Sequence, residues 1–165
     1  MELFLVRHAL ALPPQGEGEG ADDERPLAPK GVRRFRQVVR GLKALGVSLD
    51  LILTSPKRRA LETASLLAEG LGGEVRLTPH LLGPPGQALL EALPREGRVA
   101  LVGHEPFLSA LLVQLLLGDL LGASVEEAVS ERLAFKKGGV AWLEGEARPG
   151  GLALKAFLPP KVFRV

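Results

Sequence analysis

The sequence predicts an α/β fold, a three-layer α/β/α sandwich built around a mixed, mostly parallel β-sheet. Short apolar runs typical of buried strands, at 3–6, 51–53 and 99–102, alternate along the chain with longer segments of helical periodicity. The last third shows instead the period-two alternation of antiparallel strands. Strands that alternate with helices form parallel sheets covered on both faces, and we expect the antiparallel strands to close one edge.

Each predicted element follows from its apolar spacing and its turn residues. Gly46 is typical of a helix end, whereas Ser55 followed by Pro56 is typical of an N-cap and first helical residue. Ser124 with Glu127 predicts a capping box. In order, we predict a strand at 3–6, a helix at 29–45, a strand at 51–53, a helix at 56–71, a strand at 74–78, a short helix at 87–93, a strand at 99–102, a helix at 106–117, a short helix at 124–129, and strands at 132–135, 140–144 and 152–158.

The composition excludes several classes of protein. A chain of 165 residues is expected to form one domain, residues 1–165. The absence of cysteine excludes disulfides, thiolate catalysis and thiolate-held metal sites. A formal net charge of +2 gives no indication of nucleic-acid binding. The chain begins without a signal-peptide pattern, and the longest apolar run, 107–117, is shorter than the ~20 residues of a membrane span. We therefore expect a cytoplasmic protein with no membrane partner.

Residues with chemical function follow three of the predicted buried strands. Arg7 and His8 follow the first strand, and His104 follows the fourth. Lys57, Arg58 and Arg59 follow the second, at the start of a predicted helix. Because ligands of open α/β sheets bind outside the carboxyl ends of the strands, we expect these residues to meet at one rim.

The run of three cations favours an anion at that rim. A cation in the first turn of an exposed helix opposes the helix dipole by about 0.3–1 kcal/mol. Backbone N–H groups at a helix start and a guanidinium fork both suit phosphate oxygens. Two histidines beside arginines do not suit a cation, so we expect neither a metal nor another cofactor. A neutral imidazole can instead attack phosphorus and carry the phosphoryl group, which predicts a phosphohistidine intermediate.

Four fragments together resemble a known family. Leu5-Val6-Arg7-His8-Ala9 resembles the RHG motif of the histidine phosphatase superfamily, whose fold is phosphoglycerate mutase-like. Three further fragments resemble the later motifs of the family in the same order. They are Arg25-Pro26-Leu27 with Gly31, Thr54-Ser55-Pro56 with Arg59-Ala60 and Thr63, and Val102-Gly103-His104. The resemblance spans about residues 2–110, and the short chain is most similar to the SixA-like phosphohistidine phosphatase branch.

The resemblance implies a role for each matched residue. It implies that His8 is the nucleophile, that Arg7 and Arg59 bind the phosphate, and that His104 is the second histidine, which stabilises the transferring phosphoryl group. It also implies that Arg25 is an additional basic residue of the substrate site. Lys57 and Arg58 are more typical of solvated or substrate-steering side chains.

The general acid stays open. Larger members of the family place a glutamate after the third strand, whereas the loop at 78–86 has no carboxylate. His80 or Glu105 could donate the proton, or no acid is needed. A protonated imidazole leaves more easily than an alkoxide, so this loop favours a phosphoramidate substrate over an alkyl ester.

We therefore predict a metal-independent phosphatase that acts through phospho-His8, with phosphohistidine in a protein as its substrate. Its partner would then be a phosphorylated protein. One alternative keeps the mechanism and changes the substrate to a small phosphorylated metabolite, a phosphate monoester. The other is a regulatory domain that binds phosphate without catalysis.

Overall fold

The computed structural model describes residues 1–164, and its strands form a six-stranded β-sheet that lies between two layers of helices. The elements in chain order are β1 Glu2–Arg7, α1 Pro29–Ala44, β2 Leu51–Thr54, α2 Arg58–Leu71, β3 Glu74–Leu77, α3 Gln87–Glu91, β4 Arg98–Gly103, α4 Phe107–Leu117, α5 Ala123–Ser130, β5 Val140–Gly145 and β6 Leu152–Leu158.

The sheet is mixed, with the strand order β3-β2-β4-β1-β5-β6. The first four strands of this order run parallel to one another, and β5 is antiparallel to both of its neighbours. The predicted α/β/α sandwich with a mostly parallel sheet is therefore confirmed.

Each face of the sheet covers a separate apolar core. Successive side chains of a strand point to opposite faces, so Phe4 and Val6 of β1 pack under α1 and α2. Leu3 and Leu5 pack on the other face, under α3 and α4. Burial on both faces explains why β1 is apolar throughout rather than alternating. None of the helices in residues 1–164 is both long and apolar enough to cross a bilayer.

The predicted start of the second helix was wrong by two residues. Helix α2 begins at Arg58 with Lys57 as its N-cap, because Ser55 continues the strand geometry of β2 and donates its backbone N–H to Val102 O (3.1 Å). The Ser55 hydroxyl then accepts the backbone N–H of Lys57 (3.2 Å). Pro56 therefore lies in the turn between strand and helix.

Other predictions near the sheet edges were also wrong. The capping box does not form, since α5 has Gly122 at its N-cap and no side-chain hydrogen bond there. Residues 132–135 form no strand, because the edge of β1 beside them is occupied by β5.

Two segments predicted to be buried are exposed. Strand β3 is largely exposed because it lies at the outer edge of the sheet. Leu45, which follows the end of α1, is 54% exposed rather than buried in the helix stripe.

Candidate active site

Strand register brings the two motif histidines together. In the β1–β4 pair Arg7 lies opposite Gly103, so the next residue of each chain segment, His8 and His104, leaves the sheet at the same rim. The backbone N–H of His8 donates to Gly103 O (3.1 Å). The two imidazole rings have their centroids 5.2 Å apart. The predicted convergence of the first and fourth strand ends is confirmed.

The backbone holds the His8 ring in one tautomer. Nδ1 of His8 lies 2.8 Å from Ala9 O, and a carbonyl can only accept, so Nδ1 carries the proton. The lone pair is therefore on Nε2. Thr63 of α2 fixes this turn, since its hydroxyl accepts the Ala9 N–H (3.1 Å) and donates to Arg59 O (2.7 Å).

Ser55 orients the second histidine. Strand β2 pairs with β4 so that Thr54 lies opposite Val102, and Ser55 follows at the rim. Its Oγ lies 2.7 Å from Nε2 of His104. Because this oxygen also accepts the Lys57 N–H, the three groups form a chain from the start of α2 to the imidazole. Within residues 1–164, His104 Nδ1 is buried and has no hydrogen-bond partner.

Burial keeps both imidazoles neutral at pH 7. Burial is the main cause that lowers the pKa of His8 to about 4; the hydrogen bond to Ala9 O opposes it, and the charges of Arg59 and Arg7 add to it. Burial also lowers the pKa of His104 to about 3, with the neighbouring His8 as the next cause. A neutral imidazole has the lone pair that nucleophilic attack requires.

Arg59 is buried at the rim and not paired with the glutamates of its own helix. Its Nη1 donates to Asp22 O (2.9 Å), and its Nη2 donates to an Asp22 carboxylate oxygen (3.3 Å). Only 8% of the Arg59 side chain is exposed, against 54% of Asp22. Desolvation acts to raise the pKa of Asp22, but Arg59 and the other cations beside it outweigh this and lower it. Asp22 therefore holds a buried guanidinium from the solvent side.

Arg7 is held by a backbone carbonyl of the chain segment before β5. Its Nη1 donates to Phe135 O (2.8 Å), in the segment that precedes β5. Burial lowers the pKa of Arg7, and the carboxylate of Glu105 acts in the opposite direction.

Unpartnered buried donors concentrate at this rim. Within residues 1–164, four buried side-chain nitrogen or oxygen atoms have no hydrogen-bond partner, and three belong to the predicted site: Arg7 Nε, Arg59 Nε and His104 Nδ1. An unpaired buried polar group costs about 1–3 kcal/mol. Two guanidinium N–H groups beside a neutral imidazole suit an anion with several acceptor oxygens, such as a phosphoryl group.

Two of the three remaining basic residues, Arg25 and Lys57, lie around Asp22. Arg25 donates to Leu12 O (2.8 Å) and to Asp22 (3.2 Å). Lys57 Nζ lies 3.7 Å from the Asp22 carboxylate. Arg58 points away from this group and pairs with Glu62 (2.8 Å) in the next helical turn. The structure thus connects Arg25 and Lys57 to Arg59 through Asp22, and it leaves Arg58 on the surface.

The two candidate acids occupy different settings. Glu105 accepts the Ser109 backbone N–H (2.9 Å) and hydroxyl (2.6 Å), so both of its carboxylate oxygens stabilise the first turn of α4. His80 is exposed in a 3₁₀ turn, and it lines a small cleft together with His104 and Phe107. Within the described residues, no cluster of three His, Asp or Glu side chains could hold a metal ion.

Comparisons with known proteins agree with this geometry. Residues 3–82 match the family model of the histidine phosphatase superfamily (branch 1). The chain belongs to the histidine phosphatase superfamily. The protein Rv1276c of Mycobacterium tuberculosis (strain H37Rv) is 33% identical over 165 residues, which cover 94% of this chain and 100% of that protein. The phosphohistidine phosphatase SixA of Escherichia coli K12 is 29% identical over 127 residues, 72% of this chain and 76% of SixA.

The fold is also that of a solved member of the superfamily. A crystal structure of SixA from Agrobacterium tumefaciens superposes with a TM-score of 0.74 and 22% identity, over 96% of this chain and 97% of that one. This likeness shows the phosphoglycerate mutase-like fold. Membership of the superfamily supports phosphatase activity for this chain.

Reasoning from the sequence assigned no site role to two polar side chains that contact the predicted site residues, Ser55 and Asp22. Ser55 belongs to a fragment that resembles a family motif, but the only role predicted for it is that of a helix cap; its position directly after a buried strand is the signal that it reaches the rim. Asp22 lies in a Gly-rich acidic loop that gave no signal for a partner. The prediction that the backbone N–H groups at the start of α2 are free to bind an anion was also wrong in part. The acidic loop covers the helix start, and Asp23 O accepts the Arg58 N–H (2.9 Å).

Proposed function

We propose that this chain is a metal-independent phosphatase in which Nε2 of His8 takes the phosphoryl group from a phosphohistidine side chain of a protein. One observation carries the proposal. The bond from His8 Nδ1 to Ala9 O leaves the lone pair on Nε2, in a ring whose centroid lies 5.2 Å from that of His104 and on which the charges of Arg7 and Arg59 act. Within residues 1–164, Arg7 Nε, Arg59 Nε and His104 Nδ1 are buried donors without a hydrogen-bond partner. A nucleophile and its electrophilic clamps are thus held together before any substrate arrives.

The reaction proceeds in two in-line displacements. In the first, a bond forms between Nε2 of His8 and phosphorus while the bond from phosphorus to the substrate imidazole nitrogen breaks, and that nitrogen departs with a proton taken from solvent. In the second, a water oxygen bonds to phosphorus, the bond to Nε2 breaks, and the water proton leaves with solvent or phosphate. Arg7 and Arg59 balance the charge of the equatorial oxygens in both steps.

His104 serves as a neutral hydrogen-bond donor in this scheme. The Ser55 oxygen accepts the Lys57 N–H and lies 2.7 Å from Nε2 of His104, and the scheme assigns the Ser55 proton to this second bond. The His104 ring then carries its own proton on Nδ1, which has no hydrogen-bond partner within residues 1–164. A neutral donor stabilises the phosphoryl oxygens without competing with His8 for a proton.

The setting of the candidate acids supports a phosphoramidate substrate. Both carboxylate oxygens of Glu105 are engaged by Ser109, and His80 is exposed to solvent. An alkoxide leaving group needs a positioned acid, whereas an imidazole leaves once it is protonated near neutral pH. The name of the E. coli relative, a phosphohistidine phosphatase, supports the same substrate class.

The mechanism is tested with p-nitrophenyl phosphate in the presence and absence of EDTA. We expect turnover that EDTA does not change and that His8→Ala reduces to the uncatalysed rate. Arg59→Ala should lower kcat/KM strongly, whereas Arg76→Ala, a matched change at an exposed arginine paired with Glu74, should not. Equal rates for the wild type and His8→Ala would refute nucleophilic catalysis by His8. No turnover by the wild type would favour the phosphate-binding regulatory domain.

The substrate class is tested by comparing two peptides that differ only in the phosphorylated residue. We expect the kcat/KM for a phosphohistidine peptide to exceed that for the matching phosphoserine peptide. A preference for the phosphoserine peptide or for small sugar or nucleotide monophosphates would favour the small phosphate monoester as substrate instead.

A further inference from the structure

A groove opens beside His8 on the α1 side of the sheet. It has a volume of about 630 Å³, within the range of about 300–1,000 Å³ typical of ligand sites. Its walls come from α1, from the turn before β5 and from the segment that follows β6. Its apolar lining consists chiefly of Leu10, Phe35, Phe157, Pro159 and Pro160.

The groove is attached directly to the catalytic strand. It includes Ala9 and Leu10, the two residues that follow His8. On its other wall, the Gly138 N–H donates to both Arg7 O (3.0 Å) and His8 O (3.1 Å). The positive charge of Lys137, in the same turn, also contributes to lowering the pKa of His8. The groove therefore adjoins the chain segment that carries the nucleophile, with Ala9 as the lining residue next to His8.

The charged side chains around the groove are all basic. They are Arg34, Lys136, Lys137, Lys161 and Arg164. Within residues 1–164 none of these five forms a salt bridge. By contrast, two cations at the start of α2, Lys57 and Arg59, are both neutralised by a salt bridge to Asp22.

The basic surface continues beyond the groove along α1. Lys30 lies one helical turn before Arg34, and in residues 1–164 neither it nor Arg33 forms a salt bridge. The formal net charge of the whole chain is only +2, so this concentration of unpaired cations is local. A surface that extends past the groove suits a polypeptide better than a small anion that would fill the groove alone.

We propose that this groove docks an acidic, amphipathic segment of the phosphorylated protein, with its apolar side chains on the floor and its carboxylates against the basic rim. This inference rests on the proposed function, because it assigns the part of the protein substrate that lies outside the phosphoryl site. Complementary charge speeds encounter and fixes the orientation of the partner. The groove would thus select among phosphohistidine proteins by the residues that flank the histidine.

The test separates docking from chemistry. The probe is a synthetic amphipathic peptide with Glu and Leu at helical spacing around a central histidine, and its control has Gln at every Glu position. Binding of both unphosphorylated peptides is measured by fluorescence anisotropy. The enzyme variants are the double change Arg34→Glu and Lys161→Glu in the groove, and the matched double change Arg95→Glu and Arg132→Glu outside it.

We expect the wild type to bind the Glu peptide more tightly than the Gln peptide, and the groove variant to lose about tenfold or more of that affinity. The matched variant should keep the wild-type affinity. All three enzymes should keep the same kcat/KM for p-nitrophenyl phosphate, which has no flanking residues to dock in the groove. The preference for the Glu peptide should weaken as salt rises.

Three results would overturn the docking proposal. The first is equal binding of the two peptides, and the second is an equal loss of affinity in both double variants. The third is binding of a small anion, for which ADP is the probe, in the groove without binding of the Glu peptide. Failure of the proposed function would look different. If the Glu peptide binds through the groove but its phosphohistidine form is not hydrolysed, docking stands and the substrate assignment fails.

Discussion

Acidification should destabilise this protein through His8. The pKa of His8 is lowered from 6.5 to about 4 in the folded protein, mainly by burial. Between these two values the unfolded chain binds more protons than the folded one, so stability falls as the pH drops from 6.5 towards 4 and the His8 contribution levels off below that. A lowering of this size corresponds to about 3 kcal/mol.

The contribution of His8 is isolated by comparison with His8→Asn, which removes the titrating group. Urea unfolding at pH 7 and pH 4 gives the free energy of unfolding of each protein at each pH. We expect the wild type to lose about 3 kcal/mol more than the variant over this interval. Carboxylates that titrate in the same pH range change the free energy of unfolding of both proteins equally, so their contribution cancels when the variant is subtracted from the wild type. His8 also helps to lower the pKa of His104, so the difference includes that coupling.

A direct titration decides whether the reasoning is right. The ¹³C shift of the His8 ring carbon, assigned by its loss in His8→Asn, should change with a midpoint near pH 4 in the folded protein. A midpoint at or above 6.5 would contradict the lowered pKa of His8, and so would an equal loss of stability in wild type and variant. In either case burial would not be keeping the nucleophile neutral.

Three substitutions test the supports of the site. Ser55→Ala leaves Nε2 of His104 without its partner, so kcat/KM for p-nitrophenyl phosphate should fall about 5- to 150-fold, and Ser55→Thr should restore part of it. Arg59→Lys keeps the charge but loses the guanidinium fork, so kcat/KM should fall about 10- to 100-fold. Gly31→Ala places a methyl group against the Leu10 carbonyl and should lower the free energy of unfolding by about 1–3 kcal/mol.

Matched changes control for general effects. Ser65→Ala removes an exposed hydroxyl from α2 and should leave kcat/KM unchanged. Arg76→Lys alters an exposed arginine and should also have no effect on kcat/KM. Gly83→Ala adds a methyl group where nothing lies within 4 Å, so its urea midpoint should match the wild type. Wild-type kcat/KM in Ser55→Ala or Arg59→Lys, or a wild-type urea midpoint in Gly31→Ala, would contradict the contact on which that prediction rests.

Where the fold was predicted correctly, the signal was local. The continuous apolar run of β1 and the periodic stripe of α1 reflect which faces each element buries, and these patterns are visible within a few residues. The strand predicted at 132–135 shows the limit of the same signal. Its alternation is compatible with a strand, but pairing needs an open sheet edge, and β5 already occupies the edge of β1.

Local patterns in the amino-acid sequence were enough to predict which strands end in functional residues, and therefore that His8 and His104 leave the sheet at one rim. Their roles, and that of Arg25, stay predictions. The polar partners of the site residues depend instead on long-range packing: Ser55 contacts His104 across 49 positions of the chain, and Arg59 contacts Asp22 across 37. Burial patterns are written into neighbouring residues, whereas a partner is selected by the register of distant strands and the path of a loop, which no local pattern encodes.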